Sequence, residues 1–177
     1  MGQTTKSTNS ANSRTDIKFL TITAICIALV YVSTAFINIR LPIAANGGLI
    51  HLGNVALFVA ATVFGKKTGA IAGGIGMGLF DITSGWVIWA PFTVVIVGAM
   101  GFFVGLIANK RKKFGWTILA MVVALVIKIV GYYFAELILY GNWIAPFASI
   151  PGNIIQVTVG AVIAFPVITA VRKATKN

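Results

Sequence analysis

Six predominantly apolar stretches recur along the chain, separated by short polar or basic turns. They run from Ile17 to Ile37, Leu49 to Phe64, Thr68 to Asp81, Trp86 to Ala108, Trp116 to Tyr140 and Ile150 to Val171. A helix needs roughly 20 apolar residues to cross the hydrocarbon core of a bilayer. No water is there to satisfy the backbone, so continuous helices are predicted for these segments. The pattern predicts an all-α integral membrane protein, with six transmembrane helices in one compact bundle over residues 17–173. Met1 to Asp16 are polar and rich in Ser, Thr and Asn, which predicts a disordered cytoplasmic tail. A cleaved signal peptide is not expected, because the first apolar run is long and others follow it.

Composition agrees with this reading. The chain is 58% apolar and only 10% charged, whereas soluble domains carry about 25% charged residues. The net charge is +11. In a soluble protein that would suggest nucleic acid, but here the positions of the charges explain it and no nucleic-acid partner is expected. Lys6, Arg14 and Lys18 precede the first span, and Lys66 and Lys67 follow the second. Lys110, Arg111, Lys112 and Lys113 follow the fourth, and Arg172, Lys173 and Lys176 end the chain. With six spans, these twelve of the 14 basic residues lie on one side, Arg40 is opposite and Lys128 is inside the fifth span. Basic residues in short loops mark the cytoplasmic face. A cell-membrane protein with both termini in the cytoplasm is therefore predicted. Five or seven spans would scatter the clusters.

Small residues suggest how the helices pack. Gly69-x-x-x-Gly73, Gly74-x-x-x-Gly78 and Gly101-x-x-x-Gly105 each place two glycines on one helix face, where backbones approach closely. A short, glycine-interrupted span also marks binding sites in some transporters. Ala24-x-x-x-Ala28 leaves a smooth strip on the first span, suited to another helix. The single cysteine, Cys26, allows no internal disulfide and reads as a packed small residue.

The polar residues within the spans need more explanation. Lys128 lies midway along the fifth span, 12 residues from each end of Trp116 to Tyr140. A charge at the bilayer centre costs roughly 2.5 to 3.5 kcal/mol on insertion scales. Tyr132 and Glu136 follow on the same face, so a polar seam runs about 12 Å from mid-membrane toward the outside. At that outer level the second span opens with His51 and Asn54, and the third ends with Asp81, followed by Thr83 and Ser84. The fourth begins with Trp86, Trp89 and Thr93, and the sixth with Asn153 and Gln156. Convergent polar groups between aromatic walls are the usual makings of a small-molecule pocket. Structural readings stand beside this one. Trp86 and Trp89 fit the interfacial aromatic belt, and His51, Asn54 and Asp81 fit solvated helix ends. Asn153 and Gln156 fit interhelical hydrogen bonds, Glu136 fits a water-facing end, and Lys128 fits a buried ion pair.

Several chemistries find no support. Gly65-Lys66-Lys67-Thr68 resembles a phosphate loop only in part, since Ala60 stands where the upstream glycine is needed and Lys67 where Ser or Thr is needed. There is one histidine, no metal-ligand spacing and no nucleophile elbow. No metal, no cofactor and no enzymatic activity are expected, and ATP is not hydrolysed by this chain itself.

One resemblance covers nearly the whole chain, from about Ile17 to Lys173. It is carried by His51-Leu52-Gly53-Asn54, then Phe64-Gly65-Lys66-Lys67-Thr68-Gly69-Ala70, the glycines to Gly78, Asp81, and Ala90-Pro91-Phe92-Thr93. In this order, with six spans, they resemble the substrate-binding S component of energy-coupling factor (ECF) vitamin transporters, in the riboflavin-type or hydroxymethylpyrimidine-type branch. The resemblance implies capture of a water-soluble vitamin or precursor near the outer face. It implies a transmembrane coupling protein (T component) and two cytosolic ATPases as partners, with delivery by toppling of the S component in the membrane. It also implies that Ala24 and Ala28 contact the coupling protein. The implied site, built by the fourth to sixth spans and the outer loops, overlaps the polar cluster. The candidate substrate-binding residues are Asp81, Trp86, Trp89, Lys128, Tyr132, Glu136, Asn153 and Gln156, with His51 and Asn54.

The expected mechanism is binding and delivery without covalent chemistry. Trp86 or Trp89 is expected to stack on a heteroaromatic ring, while Lys128, Glu136, Asn153 and Gln156 hydrogen-bond its polar edge. The loop from Asn38 to Gly48 is expected to close over it. Hydroxymethylpyrimidine or a pyridoxine-like compound suits a modest pocket. Riboflavin is the runner-up, and pantothenate or biotin, whose carboxylate a buried lysine would hold, stay open. Two other classes remain beside this reading: a membrane-embedded enzyme using His51, Asp81 or Glu136, and a stand-alone gradient-driven carrier.

Overall fold

α1 spans Thr4–Phe36, and its apolar stretch covers Asp16–Phe36. The computed structural model describes residues 4–40, 49–111 and 113–174. Among them are five further helices: α2 (Gly53–Phe64), α3 (Lys66–Thr83), α4 (Ala90–Ala108), α5 (Phe114–Tyr140) and α6 (Ile150–Ala174). A short antiparallel ribbon, β1 (Asn38–Arg40) with β2 (Leu49–His51), links α1 to α2 and pairs Asn38 with His51. A 3-10 turn, Ala145–Ser149, leads into α6. The segment between β1 and β2, 41–48 with Pro42, lies outside the described residues, as do Lys112 and Lys176.

Three boundaries differ from the apolar pattern, each for a local reason. α1 begins at Thr4, so the polar segment assigned to a tail continues the first helix. Once a membrane segment has nucleated a helix, extending it is far less costly than starting one. α2 begins at Gly53 rather than Leu49, because Leu49–His51 pair with β1 instead. A short apolar run does not by itself separate strand from helix. α4 begins at Ala90, so Trp86 and Trp89 sit in the preceding turn, where Trp86 N–H donates to Asp81 O (2.7 Å) and Trp89 N–H to Trp86 O (2.8 Å). Pro91, which lacks an N–H, suits the first turn of α4.

Among the described residues four helical stretches are long and apolar enough to cross a bilayer: Asp16–Phe36, Ala90–Ala108, Phe114–Tyr140 and Ala145–Ala174. α2 has 12 residues, about 18 Å, and is short for a core of about 30 Å. Most of its side chains are instead buried or half-buried against protein, with Leu57 and Phe58 fully buried. The outside of the bundle is apolar. On α5, Val122, Val126, Val130, Phe134 and Ile138 recur every fourth residue and are all exposed, whereas Lys128 and Glu136 on the same helix are buried. This arrangement inverts that of a soluble helix and suits a lipid solvent.

α3 lies at the centre, packed against α1, α2 and α4. Glycine makes this possible. A Cβ added at Gly69 would lie 2.7 Å from Gly101 O on α4 and 2.8 Å from Ala61 Cα on α2. One added at Gly76 would lie 2.8 Å from Val30 Cβ on α1. Any side chain at either position would force the helices apart. Cys26 is buried in the apolar core. At the basic end, two side chains tie helix termini together. Asn109 Nδ2 donates to Thr62 O (3.0 Å) and Val63 O (2.9 Å), and Arg172 Nη2 donates to Ala108 O (2.7 Å). These carbonyls are among those that helix ends leave without intrahelical partners.

Candidate functional site

At the end of the bundle opposite the basic clusters, five helices and the ribbon surround a cavity of about 60 Å³. α5 contributes Lys128 and Tyr132, four residues apart on its inner face, and α6 contributes Asn153 and Gln156, three apart. α3 supplies Met77, Phe80 and Asp81, α4 supplies Thr93, α1 supplies Thr34, and β2 supplies His51. Residues far apart in sequence thus meet because the inward faces of these helices carry the polar groups and lipid takes the apolar ones.

The polar groups form a connected set. Lys128 Nζ donates to Gln156 Oε1, and Asn54 Nδ2 approaches the same oxygen from α2 at 3.4 Å. Lys128 Nζ also stands 5.4 Å from the centre of the Tyr132 ring, a distance at which a cation gains from the ring's negative face. The Tyr132 hydroxyl and Thr93 Oγ1 are hydrogen-bonded at 3.1 Å. Lys128, Asn54, Gln156 and Asn153 are all buried. Among the described residues, His51 Nδ1 and Asp81 Oδ2 are buried without a hydrogen-bond partner, and both residues line the cavity. Leaving such an atom unsatisfied costs about 1–3 kcal/mol. Burial, and secondarily the charge of Lys128, lowers the His51 pKa to about 3, which keeps its imidazole neutral at pH 7.

Six of the ten residues expected at a site therefore line one cavity: His51, Asp81, Lys128, Tyr132, Asn153 and Gln156. Asn54 sits directly behind, through Gln156. The cavity wall does not include Trp86, Trp89 or Glu136. Trp89 is buried behind Tyr132, with ring centres 6.5 Å apart, and packs edge-on against Tyr140 at 6.0 Å. Trp86 packs half-buried on the core. With both indoles outside the lining, the large aromatic side chains of the wall are Phe80 and Tyr132. Glu136 is buried one turn beyond Tyr132. Thr34, Met77 and Phe80 were not expected at a site. Met77 lies four residues before Asp81 and shares its helix face, a spacing visible in the sequence, while nothing local distinguishes Thr34. Among the described residues, no group of three or more His, Cys, Asp or Glu could hold a metal ion.

A cavity lined by polar side chains inside an otherwise apolar helical bundle is the build of a membrane solute-binding subunit. Residues 14–173 match the family described as "ECF-type riboflavin transporter, S component", and the chain belongs to that family. A Lactococcus lactis protein, "Thiamine precursor transporter HmpT", is 34% identical over 149 residues, covering 84% of each chain. A Pyrococcus woesei protein named "Uncharacterized protein in gap 3'region" is 33% identical over 125 residues, covering 71% of this chain and 83% of the relative. The chain is thus a membrane-embedded S component that binds a vitamin or vitamin precursor, with a transport role rather than an enzymatic one. Membership implies a T component and ATPases as partners in general.

Proposed function

We propose that this S component captures a single-ring vitamin precursor of the hydroxymethylpyrimidine or pyridoxine type and delivers it for ATP-driven uptake. The observation that carries this reading is the small cavity with partnerless polar atoms at His51 and Asp81. A heteroaromatic ring between Phe80 and Tyr132 would present ring nitrogens, amino and hydroxyl groups at its edge. Those groups match the Asp81 carboxylate, the Lys128 ammonium and the amides of Asn153 and Gln156, which act as donors and acceptors. The relative named as a thiamine precursor transporter supports the same class. Asn54 acts by holding Gln156, and Trp89 by backing Tyr132.

The purified chain is expected to bind hydroxymethylpyrimidine tightly in titration calorimetry and to give no heat with riboflavin. Preference for riboflavin would overturn the substrate assignment.

In this reading α2 and α3 also cross the membrane, which makes six crossings and places both termini in the cytoplasm. Enclosure by neighbouring helices spares the short α2 from having to match the bilayer by itself. The one-sided distribution of Lys and Arg supports this orientation. A cysteine introduced at Lys110, in a chain with Cys26 replaced by Ala, is expected to resist a membrane-impermeant thiol reagent applied to intact cells. Rapid labelling there would put the cavity on the wrong side. The partners are a transmembrane T component and two cytosolic ATPases.

A further inference from the structure

Away from this site, a long groove opens between α5 and α6 and ends among basic residues. Its inner part, about 420 Å³, is walled by apolar side chains such as Met121, Leu125, Val157 and Ala161. Its outer part, about 380 Å³, is walled by Thr117, Thr169, Arg172 and Lys173. Phe114 and Phe165 belong to both parts and meet edge-on at 4.6 Å, so the two are continuous. Leu125 and Phe114 are eleven residues apart on α5, about 16 Å, which is half of a hydrocarbon core of about 30 Å. The groove is therefore one leaflet deep.

We propose that this groove is a binding site for an anionic glycerophospholipid, with an acyl chain along the apolar part and the headgroup phosphate at Arg172 and Lys173. Charge complementarity selects this occupant. Among the described residues no Asp or Glu lines either part of the groove, and the three acidic side chains of the sequence are Asp16, Asp81 and Glu136. Hydrogen bonds from Arg172 to Ala108 O (2.7 Å) and Thr117 Oγ1 (3.4 Å) hold its guanidinium in place at the mouth. Lys173 beside it is exposed, as is Lys113 immediately before Phe114. An apolar helix of a partner would match the inner part but would take the exposed Lys173 ammonium out of water. A zwitterionic lipid would match the chain but not the excess charge.

Native mass spectrometry of the purified chain tests this, with dioleoyl phosphatidylglycerol and dioleoyl phosphatidylcholine offered in equal amounts. Wild type is expected to retain the phosphatidylglycerol preferentially. Lys173→Gln should lower that preference about fivefold, the scale of one basic residue at an anionic surface. Ala161→Trp, which fills the apolar part, should lower phosphatidylglycerol retention without touching any charge. Both variants should keep wild-type melting temperatures in lipid-free detergent, which separates lost lipid from lost fold. Equal retention of the two lipids by wild type, or phosphatidylglycerol retention that neither substitution lowers, would overturn the assignment.

Discussion

Lys128→Leu is expected to weaken binding of the vitamin precursor by roughly 1.5 to 3 kcal/mol, the scale of a hydrogen bond to a charged group. That is about ten- to a hundredfold in Kd. Lys128 is 3% exposed, sits in the middle of α5, and reaches the cavity while donating to Gln156 Oε1. Leucine has similar bulk and no charge, so membrane insertion should be unharmed or eased. The fold should survive, because Gln156 keeps its contact with Asn54. The pair of readouts is decisive: calorimetric affinity should fall while the melting temperature in detergent holds or rises. Unchanged affinity would remove Lys128 from the binding site and leave it a structural role.

The second large effect concerns delivery rather than capture. Replacing Ala24 and Ala28 together with Trp is expected to abolish uptake in vesicles carrying the full transporter, yet leave precursor binding at the wild-type level. Both alanines are exposed on α1 and lie one turn apart, so their methyl groups form a shallow strip on one face. Large apolar neighbours, Ile25 and Leu29, are exposed beside them. A coupling protein's helix can approach such a strip closely, and two indoles would hold it away. Nothing in the cavity wall comes from this part of α1, so affinity should not move. Normal uptake by the double variant would contradict the docking role. Uptake by the purified chain alone in liposomes, without ATPases, would instead favour a stand-alone carrier.

The two predictions depend to different degrees on knowing the structure. The strip on α1 follows from a four-residue spacing, since helical periodicity puts Ala24 and Ala28 on one face whatever surrounds them. The anomaly at Lys128 is equally plain in the sequence: a charge at the centre of an apolar segment has to face protein. Its partner is not plain. Gln156 is 28 residues away, and only the arrangement of α5 and α6 brings the two side chains together. The indoles are the opposite case. Trp86 and Trp89 are conspicuous in the sequence, but neither is among the residues that line the cavity. Phe80 and Tyr132, less conspicuous in sequence, form the walls instead. Residues 49–51 reveal a further limit, because an apolar triplet pairs as a strand or coils as a helix according to whether a partner such as Asn38–Arg40 is near.

What the chain determines by its residue order alone is its solvent and its periodic faces. Recurrent apolar runs, one-sided basic turns and glycines spaced by four require a helical membrane bundle, because backbone groups in lipid must bond within their own segment. What only the tertiary structure decided is which inward residues share one cavity and how large that cavity is. Those depend on how near the helices come, and that distance is set by pairs such as Gly69 and Gly101, which lie on different helices.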